Sequence, residues 1–334
     1  MDLQRLPFRA PLADYERQAE TIQDRLALAR SYDFLDWAAL ETYVAAVTQD
    51  GPVYEFEAAV EAVIHGDLAA LQDALRRDPG LVHARSTRLC CFDPPAHRAT
   101  LLHYVAANGV EGYRQMTPPN AVEIARALLA AGAVPDSLAH LYGGQWTTLG
   151  LLVSSIHPAK AGLQVPLIDL LLDFGAGLDR EDPKWGTPLH VALTFGMRDA
   201  AQALVRRGAR IDLPAAAGLG LFQETARLLP AAAPLARHQA LALAAQHGHA
   251  EVVRLLLDAG EDPNRFNPEG HHAHSTPLHQ AVAGGHEETV RLLIARGACT
   301  GLRDSNWHGT PLDWAEYCRQ PSIAAYLRGL EPAA

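Results

Sequence analysis

Residues 276–298 read "TPLHQAVAGGHEETVRLLIARGA", and their wording decides the fold. Thr276 is a good helix N-cap, and Pro277 suits the first helical position, where its missing N–H would have no partner anyway. The short helix that follows is rich in alanine, so neighbouring helices can approach closely. Gly285, just before His286, permits a left-handed turn. A second helix, apolar on most of its inner face, then runs to Gly297, which stops it. The same order recurs as "TPLHVALTFG" from Thr187, followed by "AQALVRRGA" ending at Gly208 and Ala209. It recurs again as "QALALAAQHGH" from Gln239, followed by "VVRLLLDAG" ending at Gly260. The step from anchor to final glycine is 21 residues in all three copies. A helix pair of this kind cannot bury its apolar face alone, whereas a stack of pairs can.

The totals fit such an array. Apolar residues make up 49% of the 334, and charged residues 20%, which is globular rather than disordered. The formal net charge is −10 with Lys and Arg scattered, so nucleic-acid binding is not expected. Cys90, Cys91, Cys299 and Cys318 form no CxxC, and a reducing compartment is expected. The opening "MDLQRLPFRAPLADYERQAE" has no apolar core, so no secretory signal is expected. No uncharged apolar stretch reaches membrane-spanning length. A cytoplasmic monomer follows as the expectation.

The T-P-L-H-x-A wording resembles the ankyrin repeat, over roughly residues 54–330. It is strongest at 185–213, 237–268 and 274–304. Weaker copies are "TLLHYVAANG" at 100–109 and "TTLGLLVSS" at 147–155, where Gly150 replaces the histidine. "GTPLDWAEY" at 309–317 has Asp313 in that place, as befits a closing cap. "FEAAVEAVIHGDLAALQDALRRDPG" at 56–80 lacks the Thr-Pro opening, and 213–230 is truncated. The resemblance implies an all-α ankyrin-repeat solenoid of helix–turn–helix units with hairpin fingers, filling 51–334. It implies about eight units, near 54–84, 98–136, 145–180, 185–213, 213–234, 237–268, 274–304 and 308–330. Residues 1–50 have helical periodicity in "ADYERQAETIQDRLALAR" and "FLDWAALETYVAAV". They resemble the helical lead-in of some bacterial ankyrin proteins and should cap the first repeat.

The pattern breaks in two adjacent units. From Thr100 to Gly132 is 32 residues and from Thr147 to Gly175 is 28, so "VEGYRQMTPPN" and "HPAKAGLQVP" are extra residues between helices. After the first, Asn120 and Glu123 read as a capping box. The fingers at 85–99, 136–146 and 264–275 are long and unlike one another. Loops of this kind often carry function.

Three of the five tryptophans, Trp146, Trp185 and Trp307, lie one to three residues before a Thr anchor. The ankyrin resemblance places that position between fingertip and concave groove, where exposed aromatics act as interface anchors. His103, His190 and His279 hold the T-P-L-H position, which in that family ties adjacent loops together. His249 and His286 hold the Gly-His turn. His271, His272 and His274 are not required by the repeat. His272 and His274, two apart in an expected extended segment, make half a metal site, with His308 and Asp304 on the next finger. Cys90, Cys91 and His97 are about five units away, too far at ~10 Å per unit to join it. No resident metal and no cofactor is expected.

No GxSxG, HExxH, P-loop or Rossmann glycine motif is present. The reading is a non-catalytic module that binds a protein partner through the groove and fingers. The contacts would come from Tyr142, Trp146, Trp185, His271, His272, His274, Asp304, Trp307 and His308. The alternative is an enzyme or small-molecule binder with a pocket built from 85–99, 110–121, 136–146 and 157–165.

Overall fold

The computed structural model describes residues 7–19 and 22–330. Residues 1–6 and 20–21 of the expected N-terminal cap, and 331–334 of the expected array, lie outside the described residues. The chain divides into two compact units, one up to Asp182 and one from Pro183 onward.

In the first unit, helices Leu12–Glu16, Ile22–Ser31 and Trp37–Thr48 gather an apolar cluster of their own, including Tyr15, Leu28, Phe34, Leu40 and Val44. Trp37–Thr48 starts at Asp36, whose carboxylate accepts the Ala39 N–H at 2.8 Å. It packs on Pro52–His65, the inner helix of the first pair. From there the inner helices Pro52–His65, Leu101–Val105 and Thr148–Leu152 pack one on the next. The outer helices Leu68–Arg77, Ala121–Ala130 and Gln164–Asp173 do the same. That two-layer succession is what period and amphipathicity predict.

The expected hairpin finger at 136–146 is two-stranded, with Ala139–Leu141 paired antiparallel to Gly144–Trp146. Tyr142, at φ +52°, and Gly143, at φ +71°, make its tight turn. One sequence expectation needs correction: the Asn120 capping box does not form. The Asn120 amide instead donates to the Gly66 carbonyl at 2.8 Å, tying the insertion to the turn of the preceding helix pair.

In the second unit the inner helices are Pro188–Thr194, Leu213–Gly218, Pro234–Gln246, Pro277–Ala283 and Pro311–Tyr317. Their outer partners are Arg198–Arg206, Phe222–Leu228, Ala250–Asp258, Glu287–Ala295 and Pro321–Arg328. One buried cluster runs from Leu213 through Leu256 and Leu293 to Leu327.

The Thr-His wording works as a double tie. His279 Nδ1 lies 2.8 Å from Thr276 Oγ1, closing the cap, while Nε2 reaches the Gly309 carbonyl of the next finger at 3.2 Å. His103 caps Thr100 in the same way and reaches the carbonyls of Ser137 and Trp146. His190 differs, because its Nε2 meets the Asp212 carboxylate at 2.9 Å rather than a backbone carbonyl. Asp212 is itself the N-cap of the truncated pair. Asp313 keeps only the capping half, with both Thr310 donors at 2.8 Å, since a carboxylate is too short to reach across. The Gly-His turns are structural as well. His286 Nε2 bonds the Gln246 carbonyl and His249 Nε2 the Gly218 carbonyl, each at 3.0 Å. A Cβ on Gly248 would overlap the His286 ring, which is why that turn needs glycine.

Candidate functional site

The helix pairs that begin at Leu213 and Pro234 are entered without long fingers, and the finger at 264–275 reaches back across them to Lys184, Trp185 and Thr194. Gly270, at φ +77°, sits so close to Lys184 and Trp185 that a Cβ there would strike the Lys184 carbonyl. His272 Nε2 lies 2.9 Å from the Thr194 carbonyl. This segment is a turn, not the extended strand expected from sequence: His272 has φ +60° and its carbonyl accepts the Ser275 N–H.

The result is a continuous ladder of rings. Trp185 meets Phe195 at 5.6 Å between centroids, Phe195 meets His272 at 6.4 Å, and His272 meets His274 at 6.0 Å. His274 then contacts both Trp307, at 5.1 Å, and Trp314, at 5.9 Å. Two hollows flank the ladder and share His272 and His274. The larger, about 760 Å³, is lined by Trp307, His308, Trp314 and Tyr317, with Asp313 as its acid. The smaller, about 430 Å³, lies between Trp185, Phe195 and Glu269. Trp307 is 68% exposed, Tyr317 90% and Phe195 42%. Large apolar rings left in water are open to contact with another molecule.

The sequence-chosen residues fall into three groups. Trp185, His272, His274, Trp307 and His308 lie together along this strip. His271 and Asp304 are buried and serve the fingers themselves. Burial pushes the His271 imidazole down to about 4. Asp304 accepts N–H bonds from Asn306, Trp307, Gly309 and the Trp314 indole at 2.7–2.9 Å. Burial alone would raise its carboxyl, but those donors hold it at about 2. Trp146 and Tyr142 belong to the first unit. Trp146 is only 4% exposed, so the expectation of an exposed indole there is corrected: the ring packs behind its hairpin, edge-on to Tyr142 at 6.1 Å. Tyr142 is exposed and donates to Asn108 Oδ1 at 2.9 Å.

Sequence reading missed Phe195, Trp314 and Tyr317. Phe195 does leave a signal, since it occupies the position before the turn glycine where the copy at 276 has Gly284. The metal half-site at 272 and 274 gathers, among the described residues, no third donor close enough to share an ion. Among the described residues, the His/Cys/Asp/Glu set with mutually close donor atoms is Cys90, His97 and Glu111, in the first unit.

That set lies in a buried polar centre made by the long finger and the insertion. Glu111, the second residue of "VEGYRQMTPPN", is fully buried. Its Oε1 lies 3.2 Å from His97 Nε2, 3.7 Å from Cys90 Sγ and 3.6 Å from Arg88 Nε. Arg114, from the same insertion, pairs with Glu57 at 2.6 Å and Glu61 at 3.0 Å and donates to the Tyr43 hydroxyl at 3.0 Å. Arg88 donates to the Tyr32 carbonyl and the Tyr113 hydroxyl and lies 3.6 Å above the Phe34 ring. Burial would raise the Glu111 carboxyl, but Arg88, His97 and Arg114 hold it well below the usual carboxylate range. Burial, reinforced by the negative Glu111, pushes the Cys90 thiol up. The insertion at 110–120 thus points its Arg114 inward, onto the helices Trp37–Thr48 and Pro52–His65.

Helix pairs stacked in two layers, with Thr-capped boxes opening the inner helices at Thr100, Thr187, Thr276 and Thr310, define a helical repeat protein. The family model for ankyrin repeats in three copies matches residues 159–267 and 241–333, a little over half of the chain, and the chain belongs to the ankyrin-repeat family. It is 28% identical over 310 residues to human ankyrin repeat and SOCS box protein 16, covering 76% of this chain and 66% of that one. It is 27% identical over 154 residues to the E3 ubiquitin-protein ligase KEG of Arabidopsis thaliana, covering 46% of this chain and 8% of that one. A putative ankyrin repeat-containing protein of Treponema pallidum is 33% identical over 141 residues, covering 42% of this chain and 40% of its own length. The chain therefore spans between 8% and 66% of the length of these relatives. Among the described residues no helix is long and apolar enough to cross a membrane.

Proposed function

We propose that this chain is a non-catalytic binding module that grips an extended segment of a protein partner along the ring ladder of its second unit. The observation that supports this is the unbroken run of rings from Trp185 to Trp307 and Trp314, with faces left in water. Rings 5–6 Å apart offer successive flat sites for aliphatic, aromatic or guanidinium side chains. Asp313 and Glu269 supply acids beside them. Ankyrin repeats generally serve as protein-interaction modules, which agrees with the reading; the partner, a monomeric state and a cytoplasmic setting are part of the proposal. The helices at 12–48 then act as a cap on the first repeat.

Trp307 is the residue to test. Replacing it by alanine should weaken partner binding by about 2 kcal/mol, roughly 30-fold. The melting temperature should barely change, because the ring is mostly in water. Titration calorimetry and a thermal melt read the two effects separately. Unchanged affinity would remove the strip from the binding surface.

A further inference from the structure

We propose that Cys90, His97 and Glu111 form a binding site for one zinc-like divalent cation inside the first unit. Cys90 and His97 sit on one finger, bent back on itself by the bond from the Cys90 N–H to the Pro95 carbonyl at 2.8 Å. Glu111 comes from the insertion between Leu101–Val105 and Ala121–Ala130. The ion therefore joins two loops that have no regular structure in common.

Three features carry the inference. The first is donor chemistry. Thiolate, imidazole and carboxylate are the ligand types that zinc takes. The second is spacing. Zinc bonds of about 2.0–2.3 Å at tetrahedral angles set ligand atoms roughly 3.3–3.5 Å apart. Glu111 Oε1 lies 3.2 Å from His97 Nε2 and 3.7 Å from Cys90 Sγ, and all three donors lie within 4.8 Å of one another. All three side chains are buried, and Glu111 Oε2 accepts no hydrogen bond. The third is charge. The centre gathers the carboxylates of Glu57, Glu61, Glu111 and Asp33 around the guanidiniums of Arg88 and Arg114. Two negative charges are left over, and a dication bound with the Cys90 thiol deprotonated would cut that excess to one.

Binding releases the thiol proton as the metal–sulfur bond forms. The His97 ring proton moves from Nε2 to Nδ1, and the Ala99 amide gives up its weak 3.2 Å bond to Nδ1. Three protein ligands leave the fourth position for a water. With the donors closed off from solvent, the ion acts as a clasp between finger and insertion.

The test uses the full chain, purified without a histidine tag and refolded with Zn²⁺ or Co²⁺, because a buried site loads during folding. Elemental analysis should find about one tightly held zinc per chain. The Co²⁺ form should show thiolate-to-cobalt charge-transfer absorption in the near ultraviolet. Cys90→Ala should lose that absorption and the bound ion while keeping its helical circular dichroism. Cys91→Ala, at the exposed neighbouring cysteine, should keep both. Chelator should lower the melting temperature of the wild type and leave Cys90→Ala unmoved. A wild-type chain that holds no ion after refolding overturns the proposal. So does a cobalt–thiolate band that survives in Cys90→Ala. Either result would leave the centre as a metal-free ion-pair network and would not touch the binding role of the second unit.

Discussion

Replacing Arg114 by methionine should destabilise the first unit by about 3–5 kcal/mol, the usual cost of breaking a buried ion pair by removing one partner. Arg114 is fully buried, and its partners Glu57 and Glu111 are buried with it. Methionine has a similar reach but no charge, so Glu57 would lose its guanidinium partner and keep only the Tyr43 hydroxyl at 3.3 Å. The loss should appear in hydrogen exchange of the helices Trp37–Thr48 and Pro52–His65, which this cluster joins. At about tenfold per 1.4 kcal/mol, their amides should exchange on the order of 100-fold faster or more. Adding Glu57→Gln should return a good part of the stability, because the orphaned charge goes with it. A cost under ~1 kcal/mol for Arg114→Met would show that water reaches the centre.

Acid should act mainly through histidines buried in their neutral form. Burial pushes His103, His247 and His271 from 6.5 down to about 4. Their folded values lie below the unfolded ones, so the unfolded chain takes up these protons first. Their contribution is complete above pH 6.5 and is lost as pH falls toward 4. By pH 5 each should have given up about 1–2 kcal/mol. His247 and His271 fall in the second unit and His103 in the first, so both units should soften. Melts at pH 7.5, 6.5, 5.5 and 5.0 should fall progressively through this window. Asp304, held at about 2, acts only at lower pH and does not confuse the reading. A melting temperature flat from pH 7.5 to 5 would contradict the buried neutral histidines.

Most of the repeat architecture was legible because each word has a local cause. A Thr cap, a Pro at the first helical position, a turn glycine and an apolar stripe act within one helix pair, and they recur at a fixed step. Asp313, in place of the histidine, keeps the local capping role for the same reason. What failed were the features decided between pairs. Asn120 has the letters of a cap but finds a better acceptor at Gly66. His272 and His274 looked like alternate positions on a strand, yet the finger folds back to Thr194 and becomes a turn. Trp146 and Trp307 hold similar places in their repeats, but the first is covered by a two-stranded hairpin and the second stands free on a loop. The inward course of Glu111 and Arg114 left no local signal beyond the length of the insertion.

The measurement that bears most directly on the binding role is site-specific photo-crosslinking from the ladder. A photoreactive residue in place of Tyr317, which is 90% exposed at the edge of the larger hollow, should capture a protein partner in cells. The same residue in place of Arg254, exposed on an outer helix of the same unit, should not. Combining the Tyr317 probe with Trp307→Ala should abolish the capture, and the captured segment, mapped by mass spectrometry, should be a single extended stretch. Equal capture from both positions, or capture that survives Trp307→Ala, would contradict the ladder as the site of binding.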